Sequence, residues 1–584
     1  MNKKPLLQRL FPPADWARNM NASTLTADLI AGLTTGVMII PQSMAYAAIA
    51  GLPPIAGLYA STVPLVLYAL LGTSRQLSVG PVAMASLVVA GGLATMFPDG
   101  SPTHGELMAA AAVITLLAGV VQILLSVLRL GGLVNLLSHP VVSGFTAAAA
   151  LVIATTQVPG FLGIEKPAGS FLAKWAAMLP NLGSANLVTI GVGLLTIAVI
   201  LGVKKYNKKL PAAMIAVVIG IALAYFANLG AYGVTLVGKI PPGLPTFSTP
   251  TIDAGMIQAA LPTAIVAALI SFMESISAAK IYARQNKYEI SPSQELIALA
   301  AAQIGTSMFG GYVVGGALSR TAVNASAGAK TPLANLVTAA TVAVALLFLT
   351  PIIFYLPTAV LAGIILVAVT NLIDIKEFIH LWKVKRDDLV LLAITFFATL
   401  FISVELGILI GVIASLLWLI YCSARPQISV LGLIPDSQSF RCVEHFDEVE
   451  TFDRVLILRM DAQFFFANVA YLKEVLYQRL AEMPNAVAVV LDASSMNALD
   501  STAADTYVEI IDELRGRNVE IFISHVKGSV LKVMRDTEIL DHLGEGHIFY
   551  ETHDAVHAAL RHRNAVDAGL SHEEEKFLPS DMVD

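Results

Sequence analysis

The residue best placed to do chemistry is an arginine set among glycines. The run Gly310-Gly311-Tyr312-Val313-Val314-Gly315-Gly316-Ala317-Leu318-Ser319-Arg320-Thr321-Ala322-Val323-Asn324 lies inside a long apolar region, yet is too rich in glycine for a continuous membrane helix. It reads as a short extended segment feeding a new half-helix. Such a break exposes backbone N–H groups at membrane depth, which is tolerated only where they line a cavity. The N-terminus of a half-helix with a cation beside it is an anion site. The expected chemistry is therefore recognition of a small oxyanion, centred on Arg320. The alternative is that Arg320 pairs structurally with Glu274 or with a helix C-terminus. Ser319 and Thr321 set hydroxyls beside it, as ligands or only as caps of the half-helix. Glu274 is the only acid inside its span. If it titrates it is a proton-coupling group; the alternative is a fixed ion pair with Arg320. Gln42 and Tyr46, at i and i+4, share one helix face. They either hydrogen-bond the oxyanion or join helices.

These residues need a membrane scaffold, and the composition supplies one. Of 584 residues, 56% are hydrophobic and 13% charged, where a soluble chain carries about 25% charged residues. Mean hydropathy is +0.73. The net charge of −6 gives no reason to expect nucleic acid. Apolar segments near bilayer length fill the chain to about Cys422, and the remainder has soluble composition. The organisation expected is a cytoplasmic segment over 1–24, a transmembrane domain over 25–425, a soluble domain over 426–562 and an acidic flexible tail over 563–584. The N-terminal segment, with Lys3, Lys4, Arg9 and Arg18, carries no cleavable signal pattern and suits an interfacial helix near Asp15 and Trp16. Cys422 and Cys442 give no disulfide framework and fit a reducing compartment.

The expected spans of the first half, about 25–228, lie near 27–50 (interrupted at Pro41), 54–71, 107–128, 133–156, 186–203 and 211–228. A glycine-rich break over Ser78 to Ala83 leads into a half-helix at 81–96, with Pro81 in its first turn. The second half, about 256–424, has spans near 257–280, 292–309, 333–350, 356–373, 387–403 and 405–422, and the Arg320 half-helix at 317–328. Each half thus has seven elements with the break third, an inverted repeat. Interrupted segments at matching positions are the strongest sequence pointer to a transporter site. A cytoplasmic N-terminus puts Arg75, Arg129, Lys204, Lys205, Lys208, Lys209, Lys280, Arg284, Lys287, Lys330, Lys376, Lys383, Lys385 and Arg386 on the inside and only Lys166, Lys174 and Lys239 outside.

The remaining polar residues have modest readings. Glu405 is taken as structural or interfacial, His139 as a loop residue at a helix start, and Lys204 to Lys209 as a topogenic patch. Strands Val455–Leu458, 486–491, 519–524 and 546–550 alternate with helices at 467–481 and 501–516, which argues for an α/β tail. Ser501 or Thr502 is a natural N-cap, and Ser501 is equally a candidate regulatory phosphosite. No phosphate-binding loop is present, so ATP-driven pumping is disfavoured. No His/Cys cluster reads as a metal site, and no cofactor is expected.

The motifs Pro41-Gln42-Ser43-Met44-Ala45-Tyr46, Gly51-Leu52-Pro53-Pro54, Gly57-Leu58-Tyr59-Ala60-Ser61, Gly72-Thr73-Ser74-Arg75 through Gly80-Pro81, and Ser319 to Asn324 resemble the signature of the sulfate permease (SulP) family. The tail resembles the STAS domain, with Asp500-Ser501 at the position phosphorylated in some of its relatives. The resemblance covers nearly the whole chain. It implies a seven-plus-seven transmembrane inverted repeat split into core and gate domains, with a C-terminal cytoplasmic α/β STAS domain. It implies an anion site between the third and tenth helices, at Gln42, Tyr46, Val82, Ala83, Leu318, Ser319 and Arg320. It further implies a homodimer in a bacterial inner membrane, both termini cytoplasmic, moving its core like an elevator. Glu274 matches an acidic position tied to proton coupling. Sodium-coupled relatives have Asp there with Thr one turn on; this chain has Glu274 followed by Ala278, which favours protons. Expected partners are sulfate or another small oxyanion (bicarbonate, a C4-dicarboxylate), protons and membrane lipid. The expected activity is proton-coupled sulfate uptake, with other symport, anion exchange or STAS-mediated sensing as alternatives, and the chain is not read as an enzyme.

Overall fold

A computed structural model describes Trp16 and residues 20–97, 102–129, 138–167, 169–207, 210–239, 241–251, 253–446 and 448–568. Most of the expected interfacial segment and acidic tail, Lys208, Lys209 and the Glu405 side chain lie outside the described residues. The chain divides into two compact units between Ser415 and Leu416.

The first unit is helical. Its first half runs α1 (Ala22–Ile49), α2 (Pro54–Tyr59), α3 (Val63–Leu71), strand β1 (Val79–Gly80), α4 (Ala83–Met96), α5 (His104–Val127), α6 (His139–Leu162), a short α7 (Phe171–Met178), α8 (Leu187–Tyr206) and α9 (Ala212–Phe226). The second runs α10 (Ala254–Gln285), α11 (Pro292–Met308), strand β2 (Gly315–Gly316), α12 (Leu318–Ser326), α13 (Leu333–Phe348), α14 (Thr350–Ile353), α15 (Thr358–Val369), α16 (Ile375–Val384), α17 (Arg386–Phe401) and the start of α18 (Val404–Ala424), within which the division falls. Ends follow local chemistry. Asn21 and Thr24 form a reciprocal capping box that starts α1, and Thr103 and Glu106 do the same for α5. The left-handed Gly163, φ 71°, closes α6.

Two expectations fail here. Pro41 does not interrupt α1, which is helical throughout. The reason is bracing: a Cβ on Gly57 would lie 2.0 Å from the Ser43 carbonyl oxygen, so α2 packs directly on the α1 backbone beyond the proline. Pro41 itself is buried. Pro81 is not in the first turn of α4. The helix begins at Ala83 with Val82 as N-cap, and Pro81 stays in the extended segment. The short helices α7 and α16 were not expected.

Packing sorts the helices into two bundles. In one, α11 lies on α5 and α3, α13 on α1, and α10 on α5 and α4. In the other, α17 and α15 lie on α6, and α8 on α15. Both breaks belong to the first bundle.

The second unit is built on a six-stranded sheet of order β4-β3-β5-β6-β7-β8. The strands are β3 (Ile428–Leu433), β4 (Phe440–Cys442), β5 (Val455–Met460), β6 (Ala488–Asp492), β7 (Glu520–Ser524) and β8 (Ile548–Phe549). β3 runs antiparallel to β4 and β5, while β5 to β8 are parallel. Successive residues feed opposite cores. Leu456, Leu458, Val489, Leu491, Ile521 and Ile523 pack beneath α19 (Val469–Glu482), α20 (Ser501–Arg515), α21 (Gly528–Asp536) and α22 (Ile539–Leu543). Val455, Ile457, Val490 and Phe522 meet α23 (Thr552–Asp567). A sheet covered on both faces reads as near-continuous apolar runs, which is why its strands were legible. α23 continues to Asp567, past the point at which the tail was expected to begin.

Candidate functional site

The two breaks meet. β1 and β2 pair antiparallel, Val79 opposite Gly316 and Gly80 opposite Gly315. The half-helices α4 and α12 start immediately after them, and neither N-cap, Val82 or Ala317, supplies a side-chain cap. The first-turn N–H groups of both are therefore free of local side-chain partners.

Buried polar side chains hold each break. Glu295, in the first turn of α11 and fully buried, accepts from Tyr68 Oη at 2.6 Å, Thr73 N at 2.6 Å, Thr73 Oγ1 at 2.6 Å and Ser74 N at 3.1 Å. Tyr288 Oη donates to Gln76 Oε1 at 2.8 Å. The Asn324 and Asn335 side-chain amides donate to the carbonyls of Gln76 and Leu77 at 2.9 and 2.8 Å. At the second break Gln303 mimics a neighbouring strand: its Nε2 donates to Val314 O at 2.7 Å and its Oε1 accepts from Val314 N at 3.0 Å. Ser271 Oγ donates to Val314 O at 2.5 Å, and Ser275 Oγ accepts from Gly316 N at 2.7 Å. Asp28 of α1, fully buried, takes the N–H groups of Lys330 and Thr331 at 2.6 and 3.0 Å and so fixes the loop after α12. Without such partners each buried backbone group would cost about 1–3 kcal/mol.

Arg320 is fully buried between the breaks. Nη1 donates to Pro81 O at 2.6 Å and Nη2 to Gly315 O at 3.4 Å, while Nε has no partner. Its partners are thus neither Glu274 nor a helix C-terminus but one carbonyl from each break. Gly80 keeps the space beside it open, since a Cβ there would stand 3.3 Å from Nη2 and 3.0 Å from Ile39 Cδ1. Glu274 makes no ion pair with Arg320, and its Oε2 is buried without a hydrogen-bond partner. Gln42 Nε2 donates to Tyr46 Oη at 2.8 Å, leaving Gln42 Oε1 buried and unpartnered. Arg320 lies within electrostatic range of Tyr46, Glu274 and Tyr312, and Tyr46 within range of Glu274 and Tyr312. Tyr312 Oη sits 3.0 Å from Ser86 Oγ of α4. Val82 is buried, Ala83 half-buried, and Leu318 and Ser319 are exposed at the start of α12. Thr321 Oγ1 accepts from Ser78 N at 3.2 Å and donates to Ala317 O at 2.8 Å, so it belongs to the frame.

Glu295, Gln303, Asp28, Ser271 and Ser275 were missed from the sequence. Ser271, Ser275 and Gln303 carried a signal, being polar within apolar stretches of helix, whereas Asp28 and Glu295 sit among the polar residues that start their helices. An apolar groove of about 380 Å³ lined by Val218, Tyr225, Phe226, Pro351 and Tyr355 holds none of these residues, and its lining suits acyl chains rather than an anion.

In the soluble unit the cap of α20 is Asp500, not Ser501 or Thr502. Asp500 Oδ1 accepts from Ala503 N at 2.8 Å, and Oδ2 accepts from Phe466 N at 2.9 Å. The carboxylate wins because it serves two strands of backbone at once. Ser501 is the first helical residue and is exposed. His139 opens α6 with Nδ1 3.1 Å from Glu377 Oε1.

A polytopic helical bundle with paired breaks, followed by a helix-covered mixed sheet, defines a multi-pass membrane protein with a soluble C-terminal module. Residues 25–395 match the sulfate permease family and residues 448–555 the STAS domain. The chain belongs to the sulfate permease family. It is 35% identical to sulfate transporter 4.1, chloroplastic, of Arabidopsis thaliana, over 95% of this chain and 83% of that one. It is 33% identical to high affinity sulfate transporter 2 of Stylosanthes hamata, over 94% and 86%. Its fold is similar to that of the murine Slc26a9 anion transporter in the inward-facing state, with a TM-score of 0.87, 24% identity and coverage of 96% and 95%. The transmembrane domain of the cyanobacterial bicarbonate transporter BicA aligns with a TM-score of 0.59 and 24% identity over 68% of this chain and 98% of that one.

Proposed function

We propose that this chain imports sulfate, or a dianion of its size, together with protons, across a bacterial inner membrane, with both termini on the cytoplasmic side. The reading rests on one observation above all. Three polar atoms from three different helices, Gln42 Oε1, Glu274 Oε2 and Arg320 Nε, are buried without partners, beside two uncapped helix N-termini. Charge arithmetic favours a dianion. Each N-terminus carries about half an elementary charge, and with Arg320 the pocket totals roughly +2. Ionised Glu274 removes one of these charges; protonated Glu274 restores it. Proton and dianion therefore favour each other's binding, and that mutual preference is a coupling free energy. It also meets an energetic need, because each negative charge entering against an inside-negative potential costs about 2.3 kcal/mol per 100 mV. The relatives named as sulfate transporters support the choice of anion. Gln42, Tyr46, Val82, Ala83, Leu318 and Ser319 complete the proposed pocket. The bundle carrying both breaks moves past the other in an elevator-like step, and two copies form a homodimer.

The test is sulfate uptake into proteoliposomes with and without an inward proton gradient. Accumulation should follow the gradient; accumulation indifferent to it would sink the proton coupling. Glu274→Gln, permanently neutral, should keep anion binding and lose the response to the gradient.

A further inference from the structure

Cys442, Glu444 and His445 stand together at the end of β4. Cys442 is the last residue of that strand, paired with Leu431, and is buried. The chain then turns: His445 N donates to Cys442 O at 3.2 Å, and Val443 N returns to Val430 O at 3.0 Å. The turn folds His445 back over the thiol, so that Nδ1 lies 3.4 Å from Cys442 Sγ. One ligand atom from each of Cys442, Glu444 and His445 falls within 4.8 Å of the others.

We infer that this turn is a zinc site, with Cys442 Sγ, His445 Nδ1 and a Glu444 carboxylate oxygen as protein ligands and water as the fourth. The observed Sγ···Nδ1 separation already has the length of a tetrahedral edge, which is about 3.5 Å for bonds of about 2.3 Å to sulfur and 2.0 Å to nitrogen. Thiolate, carboxylate and neutral imidazole sum to −2, the charge a divalent cation neutralises. Sulfur with nitrogen selects Zn²⁺ over Mg²⁺ or Ca²⁺. The surroundings suit a ligand set. The buried Ser429 side chain of β3 lies near the Cys442 sulfur, where it can serve as an outer partner of the kind that orients metal ligands. Glu444 and His445 are exposed, which gives the metal an entry path. One competing contact is present: Arg479 Nη2 lies 3.5 Å from Glu444 Oε1. Arg459, tied to Asp461 at 2.6 Å, adds positive charge near the sulfur. Bound metal would lock the turn that follows the β3–β4 hairpin.

The test is cobalt substitution on the purified full-length protein in detergent. One equivalent of Co²⁺ per chain should give a thiolate-to-cobalt charge-transfer band with tetrahedral ligand-field bands, and added Zn²⁺ should bleach both. Cys442→Ser should abolish the charge-transfer band. His445→Ala and Glu444→Gln, at exposed positions that leave the fold intact, should each weaken binding at least about tenfold. Cys422→Ser should change nothing. Absence of a charge-transfer band, or a metal affinity unchanged from the unsubstituted protein in both His445→Ala and Glu444→Gln, overturns the inference.

Discussion

The two breaks share a design and differ in what they carry. Both are short extended segments that pair with each other and feed uncapped half-helices. The first contributes no charged side chain to the proposed pocket. It is clamped from outside by Glu295, Tyr288 and the amides of Asn324 and Asn335, and it ends on buried, apolar Val82. The second carries Arg320 and exposes Leu318 and Ser319. On the proposed reading, the difference makes one break a wall and the other the working face. α11 serves both, with Glu295 and Gln303 set eight residues apart, about 12 Å along the axis.

A second contrast runs between the two units. Glu295 and Asp28 in the membrane unit are held by hydroxyl and backbone N–H donors. Glu520 in the soluble unit is instead flanked by Arg515 and His547, each at 3.5 Å. Burial opposes its ionised form, but these neighbours outweigh burial and hold its pKa at about 2.

The largest expected effect comes from erasing the difference between the breaks. Arg320→Ala should lower sulfate affinity at least about a hundredfold, close to 3 kcal/mol, measured by equilibrium binding on protein that remains monodisperse. Unchanged affinity would remove Arg320 from the working face. Arg320→Lys should not restore it, because an ammonium cannot reach both carbonyls as a planar fork does. Next in size, Glu295→Ala leaves Tyr68, Thr73 and Ser74 unpaired and should cost about 2–4 kcal/mol, seen as a lower melting temperature. Sulfate affinity of the folded fraction should shift far less than in Arg320→Ala; an equal loss would mean that the first break is no mere wall. Gln303→Leu should cost about 1–3 kcal/mol and also disorder the segment bearing Arg320. Hydrogen exchange over 310–320 would report it, and unaltered protection there contradicts the strand-mimic role.

Smaller effects sharpen the contrast between units. Asp500→Ala removes the cap of α20 and should cost about 1 kcal/mol, whereas Ser501→Ala should be near neutral; the reverse order would reinstate Ser501 as the cap. Glu520 is depressed from 4.5 to about 2. Its stabilisation is therefore present above about pH 4.5 and lost as pH falls towards about 2. Hydrogen exchange around β7 and β8 should rise across that window in the native protein and not in Glu520→Gln.

Hydropathy and glycine clusters made the spans and both breaks legible, because the bilayer sets helix length and only a buried frame tolerates irregular backbone. What stayed hidden depended on partners distant in sequence. Arg320 was found, but its partners are main-chain carbonyls, which no pattern of residue types announces. Glu295 follows Ser291 and Pro292 and reads as part of a helix start; its work lies at Thr73, 222 residues away. α16 is short and amphipathic, and was absorbed into a loop. Asp500 lost to Ser501 in the reading because both are good caps and only geometry chooses between them. The Cys442 trio carries no paired-cysteine spacing and is brought together by one turn.

The β1–β2 pairing also sets an order of events in biosynthesis. Gly80 waits for Gly315, so the first half cannot complete its third element when it leaves the ribosome. Until the second half arrives, the backbone from Ser74 to Pro81 lacks the acceptors and donors it will finally use. The entropic cost of closing so long a loop grows only slowly with length, so the delay is one of timing rather than of stability. The proposed anion site is thus the last part of the membrane unit to come into being, and a chain truncated before α11 should insert without ever acquiring it.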